Sequence, residues 1–147
     1  MDRVICAVDG RKYYWRVIDY LQRDAKRLGV LKGNLRFGSF WHNISSVTHN
    51  IMRLFIALDK RNRVLGYMVV ENLDSSWKED IPIVEIIEVL PQYRRRGIGT
   101  AMMQWAIERT RAKSSLTMRL NPLDGKEAFF TRLGFAKTER KGYVLTL

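Results

Sequence analysis

Two stretches of this chain carry residue types that could do chemistry. The first is Tyr93-Arg94-Arg95-Arg96-Gly97-Ile98-Gly99, which follows a β-branched run and Pro91 and opens an amphipathic stretch. Glycines let the backbone come close to a ligand. The first turn of a helix offers unpaired N–H groups at the positive end of its dipole. With three arginines beside them, such groups make a site for a pyrophosphate or a similar anion. The same turn also suits a plain helix start. It is neither a P-loop, since it lacks Gly-Lys-Ser/Thr, nor a dinucleotide fingerprint, since Met102 stands where a third glycine belongs. The second stretch is acidic. Glu71, Asp74, Glu79, Asp80, Glu85 and Glu88 fall within 71–90, where the only base is Lys78. In an otherwise basic chain, that cluster reads as a solvated loop or as a pocket for a cationic acceptor.

An α/β framework must hold both stretches. The pattern predicts a strand over 1–9, ending at Asp9-Gly10. Tyr14, Val17, Ile18, Leu21, Ala25 and Leu28 recur at steps of three and four before Gly29, which predicts a helix over 12–28. Asn43 would cap a short helix over 44–50. Strands over 51–58 and 63–71 flank the turn at Asp59-Lys60-Arg61-Asn62, and a strand over 81–90 stops at Pro91. A helix over 98–113, a strand over 115–120, a helix over 124–133 ending at Gly134, and strands over 135–138 and 143–147 complete the chain. The expected order is β-α-α-β-β-β-α-β-α-β-β, a mixed α/β sheet in a single domain spanning 1–147.

Composition narrows the class. The chain has 147 residues, 46% of them hydrophobic, which suits one domain with a real core and excludes a mainly disordered chain. A lone cysteine, Cys6, excludes a disulfide-stapled scaffold, and it reads as a buried strand residue. Two histidines, His42 and His49, argue against a metal site. No apolar run approaches the roughly 20 residues of a membrane span, and no signal peptide is read, so the expectation is a soluble cytoplasmic protein without a membrane partner. The 26 Lys+Arg against 15 Asp+Glu give a net charge of +11, which suggests an acidic partner. Nucleic acid is one such partner. It is not favoured, because the bases are scattered through every element rather than gathered in one run.

At Val89-Leu90-Pro91-Gln92-Tyr93-Arg94-Arg95-Arg96-Gly97-Ile98-Gly99 the chain resembles the GNAT superfamily of acyl-CoA-dependent N-acyltransferases. The family signature is Gln/Arg-x-x-Gly-x-Gly/Ala after a strand ending in Val-x-Pro. Its C-terminal signature, an apolar-aromatic pair before Gly-Phe, is matched by Ala128-Phe129-Phe130-Thr131-Arg132-Leu133-Gly134-Phe135. The expected element order agrees as well, so the resemblance covers essentially the whole chain.

The resemblance implies acetyl-CoA, or a related acyl-CoA, as cosubstrate. Backbone amides of Ile87, Glu88 and Val89 would meet its pantetheine arm, inserted where the strands over 81–90 and 115–120 splay apart. Amides of the turn, Arg95, Arg96, Gly97, Ile98, Gly99 and Thr100, would hold the pyrophosphate with Arg94 nearby. Asn121 sits where the family often touches the cofactor, although the Pro122-Leu123-Asp124-Gly125 insert lengthens that region.

The implied reaction is direct attack of a primary amine on the thioester. A protonated amine is no nucleophile, so a base is needed. Alternation puts Glu85, Ile87 and Val89 on one face and Glu88 on the other, which favours Glu85 as general base. Glu88 is the second candidate, since a bulge would exchange their facing. The amide near Val89 would stabilise the developing oxyanion. A tyrosine of the C-terminal motif often protonates the departing thiolate. This chain has Phe130 there, which leaves Tyr143, Tyr67 or solvent for that step. Trp41 and Trp77 would wall the acceptor site or pack as core, and His42 would serve as a proton shuttle or as plain polar surface. The acceptor would be a cationic small amine, a lysine side chain or a protein N-terminus. Aminoacyl-tRNA, or cofactor binding without turnover, is the alternative. Many members of the family form homodimers, and nothing in the sequence marks an interface.

Overall fold

In the computed structural model, the described backbone covers 3–8, 11–18, 52–59, 61, 63–73, 80–122, 125–139 and 142–147, with side chains described from 55 onward within those ranges. The elements are β1 (Arg3–Val8), β2 (Arg11–Ile18), β3 (Met52–Leu58), β4 (Val64–Glu71), β5 (Ile83–Val89), α1 (Ile98–Ala112), β6 (Thr117–Leu120), α2 (Glu127–Arg132), β7 (Ala136–Lys137) and β8 (Tyr143–Thr146). They form one mixed sheet in the order β1-β2-β3-β4-β5-β6-β8-β7. Every neighbouring pair is antiparallel except β5 and β6, which run parallel.

The mixed α/β sheet agrees with expectation, and the element order does not. Residues 11–18 are a strand, not the start of a helix. Tyr13, Tyr14, Trp15, Val17 and Ile18 are β-branched or aromatic and lose little in a pleated strand. β2 also pairs on both edges, with β1 from Arg3↔Arg16 to Val8↔Arg11 and with β3 from Tyr14↔Leu58 to Ile18↔Leu54. Ladders on both sides outweigh a helical spacing that a strand can equally carry. The rest of that expected helix (19–28) and the expected helix over 44–50 lie outside the described residues, as do Trp41, His42, His49 and Trp77. Cys6 lies on β1, as expected.

The core lies between the sheet and α1. Ile98, Met102, Met103, Ala106, Ile107 and Thr110 form the buried stripe of the helix. They pack with Phe55, Ala57, Leu65, Met68, Val70 and Val84 from the sheet. Each large apolar side chain so buried stabilises the fold by about 1.5–3 kcal/mol. Trp105 stands edge-on to Phe55 at 4.8 Å, and Arg109 covers its outer face at 5.3 Å. Thr110 satisfies its buried hydroxyl by donating to Ala106 O at 2.8 Å. Lys113, just past the helix, donates Nζ to the carbonyls of Asn72 and Asp80, both at 2.9 Å, and so pins both ends of the β4–β5 connection. Gly134 ends the α2 turn at φ +100°, as its position after the helix predicts.

Candidate functional site

The ladder between β5 and β6 stops early. Only Ile83↔Arg119 and Val84↔Leu120 pair, and β6 ends there while β5 runs on to Val89. From Glu85 onward the β6 side of β5 is therefore an opening within the sheet. The register decides which groups face it. Leu90 donates its amide to Leu65 O at 2.9 Å, so the backbone of Leu90 points to β4. Alternation then turns the backbones of Val89 and Ile87 toward the gap and that of Glu88 toward β4. Asn121 follows the last residue of β6, at the root of the gap, and Tyr143 pairs with Leu120 beside it.

A bulge sets the facing of the carboxylates. Val69 pairs with Ile86 and Val70 pairs with Val84, which leaves Glu85 as the extra residue of β5. Val84, Ile87 and Val89 consequently pack toward the α1 core. Glu85 and Glu88 lie on the opposite face, where the Glu71 carboxyl acts on Glu85 and Glu88 meets Tyr67. Strict alternation had grouped Glu85 with Ile87 and Val89; the extra residue overturns that grouping and puts both glutamates together. Desolvation and, after it, the hydrogen bond and charge of Glu71 raise the pKa of Glu85 above the ordinary carboxylate value.

Glu88 is held at Oε2 and lies near a cation at Oε1. Tyr67, fully buried, donates its hydroxyl to Oε2 at 2.7 Å. Nη2 of Arg94 stands 3.8 Å from Oε1, and Nε of Arg94 donates to Val89 O at 3.0 Å. The close approach of β4 to this spot needs Gly66. A β-carbon there would sit 2.6 Å from Glu88 O.

Past Val89 the chain makes a 3-10 turn (Pro91–Tyr93) and then the arginine-glycine segment. Arg95 and Gly97 both adopt positive φ, +61° and +78°. The first helical hydrogen bond of α1 runs from Ala101 N to Gly97 O. Among the described residues, the amides of Arg95, Arg96, Gly97, Ile98, Gly99 and Thr100 donate to no backbone carbonyl. Alternating left- and right-handed residues before a helix turn such amides into one concavity, which suits an anion. Arg94, Arg95 and Arg96 are exposed around it, with Arg96 stacked 5.8 Å above the Tyr93 ring. These residues fit a pyrophosphate.

Phe130 is buried in the core, edge-on to Phe135 at 6.1 Å. Its neighbour Phe129 lies beside the site instead. A β-carbon on Gly99 would meet its Cζ at 3.4 Å and Val89 Cγ2 at 3.6 Å. Gly66 and Phe129 go beyond the site residues that the sequence marks, and Glu71 enters there only as one of the acidic cluster. An isolated glycine in an apolar strand was a usable sign for Gly66.

The comparisons with known proteins agree with one another. Residues 50–137 match the model of the acetyltransferase (GNAT) domain. No curated protein matches the chain. Among solved structures, the GNAT domain of Streptomyces lividans PAT superposes with a TM-score of 0.70 at 13% identity, covering 99% of this chain and 97% of that one. A GNAT-family acetyltransferase from Listeria monocytogenes gives 0.64 at 14% identity, over 98% and 100%. One from Staphylococcus aureus gives 0.63 at 14% identity, over 90% and 99%. At such identities the likeness is one of fold.

Proposed function

The chain belongs to the GNAT family of acetyltransferases, and on that premise we propose that it moves an acetyl group from acetyl-CoA to a cationic primary amine, with Glu85 as general base. One observation carries the donor half: six consecutive amides, Arg95 to Thr100, with no backbone acceptor among the described residues, at the mouth of a gap in the sheet. Those amides and the three arginines would hold the pyrophosphate. The gap-facing backbones of Ile87 and Val89 would line the pantetheine arm, with Asn121 at its root. Bound there, acetyl-CoA supplies an activated thioester carbonyl.

The acceptor half rests on the other face of β5. Glu85 has the Glu71 carboxylate as its charged neighbour there, and Glu88 lies on the same face, a setting that attracts a protonated amine. A raised pKa suits Glu85 to take a proton near neutral pH, directly or through a water. The Val89 amide faces the gap and would meet the developing oxyanion, a contact worth about 3–4 kcal/mol in well-formed sites. Tyr143, beside the root of the gap, would return a proton to the departing thiolate, a role that Phe130 cannot fill. The acceptor is a small polyamine-like molecule, a lysine side chain or a protein N-terminus. No helix among the described residues is long and apolar enough to cross a membrane.

The test is CoA-thiol release from acetyl-CoA with a pooled panel of amines, wild type beside Glu85→Gln. Turnover by the wild type, reduced about 100-fold or more in the variant and partly recovered at high pH, supports the reading. A variant that keeps the wild-type rate removes Glu85 from the mechanism.

A further inference from the structure

Arg94 stands between two anionic claims. On one side is Glu88, whose Oε1 lies 3.8 Å from its Nη2 while Oε2 is engaged by Tyr67 at 2.7 Å. On the other side is the cradle of free amides, which begins at the very next residue, Arg95. The guanidinium is anchored to neither. Its fixed contact is Nε to Val89 O at 3.0 Å, and its side chain is 50% exposed. The guanidinium is planar and turns as one unit, so a change of rotamer in this exposed side chain, giving up the Val89 contact, shifts the charge between the carboxylate and an anion on the turn. One cation shared by two anions couples them. Neutralising either anion releases the cation to the other, and the effect is reciprocal.

We infer that Arg94 is a positioning residue that links the two substrate sites: an ammonium group pairing with Glu88 frees Arg94 for the donor's phosphates, so that acceptor and donor bind with positive cooperativity. This rests on the donor reading given above. The Glu88–Arg94 pair is open to solvent, so the coupling is modest, about two- to five-fold in affinity.

The experiment is a double-mutant cycle on CoA binding, read by calorimetry without turnover, with wild type, Glu88→Gln, Arg94→Gln and the double variant. Glu88→Gln tightens CoA about two- to five-fold where Arg94 is present and changes nothing in the Arg94→Gln background. Arg94→Gln alone weakens binding. Arg94→Lys, which keeps the charge and loses the planar fork, retains part of the affinity and little of the coupling. If Glu88→Gln does not fold, Glu88→Asp draws the carboxylate back by one methylene and reads the same cycle. Glu88→Gln shifting CoA affinity equally with and without Arg94, or weakening it, overturns the inference and leaves the donor site standing. A folded wild type that binds no CoA overturns the donor reading and this inference together.

Discussion

Tyr67 and Glu88 face each other across β4 and β5, and the hydroxyl of Tyr67 donates to Glu88 Oε2 at 2.7 Å. The phenol is fully buried while the carboxylate keeps 24% of its side-chain surface. A neutral buried donor therefore fixes the direction of a charge that opens to solvent. Tyr67→Phe deletes that donor with little change of shape. It should cost about 1.5–3 kcal/mol of stability, the usual range for a hydrogen bond to a charged group, and lower the thermal midpoint. Unchanged stability in chemical denaturation would mean that Glu88 holds its place without it.

The Glu71–Glu85 contact governs a pH dependence. Desolvation and the Glu71 carboxyl raise the pKa of Glu85, so Glu85 acting as the proposed base should lose activity by protonation at a higher pH than an ordinary glutamate would. Glu71→Gln removes the neighbouring charge and lowers that pKa. The acidic limb of the kcat/KM profile should move to lower pH. A limb that stays in place, or moves up, separates Glu71 from the base.

Gly66 is where β4 touches the end of β5. A β-carbon there would sit 2.6 Å from Glu88 O and 3.1 Å from Val89 Cα, and both are backbone atoms with nowhere to turn. Gly66→Ala should destabilise the fold by about 1–3 kcal/mol. It should also weaken CoA binding, because it displaces Val89 at the gap. A variant as stable as wild type would show that the strands can part at no cost.

Asp59 closes the β3–β4 turn. Its Oδ1 accepts the amides of Arg61 at 2.8 Å and Arg63 at 2.9 Å, and Oδ2 accepts Nε of Arg63 at 2.7 Å. Desolvation alone would raise its pKa, but the hydrogen bonds from Arg63 and Arg61 outweigh that and lower it overall. A depressed carboxylate stabilises the fold above its unfolded value of about 3.9, and that stability is lost as pH falls through the folded value. Asp59→Asn should remove the extra acid sensitivity in this window. The pair is solvent-exposed, so the change at neutral pH stays below about 1 kcal/mol. Identical denaturation curves for both proteins from pH 5 to pH 3 would contradict this.

From Met52 onward the strands and helices were legible in the sequence, because period-two and period-three-to-four patterns there are bounded by Pro91, Gly97 and Gly134. The first strand was legible too, ending before Asp9-Gly10, but β2 was not. Tyr14, Val17 and Ile18 fit a helical face and a strand equally, and the choice depended on β1 and β3, which are distant in sequence or unrecognised as partners. The arginine-glycine turn before α1 was legible because its pattern is local to seven residues. The facing of Glu85 was not, since strict alternation has no room for an extra residue. A sign was present even so: in Glu85-Ile86-Ile87-Glu88 two adjacent apolar residues separate two acids, a break in the period of two that a bulge resolves. The bridge from Arg94 to Glu88 left no trace in the pattern, because it depends on the turn folding back over the strand end.

The early stop of the β5–β6 ladder also bears on how the protein behaves among other proteins. It leaves a strand edge in the middle of the sheet, and an open edge invites pairing with extended segments of other chains, the first step toward aggregation. Here that edge leads directly into Arg94, Arg95 and Arg96, all exposed. Clustered positive charge at the end of an edge repels further strands and favours a compact anion instead. Such charge at the end of an open edge would disfavour edge-to-edge association where the β5–β6 ladder stops.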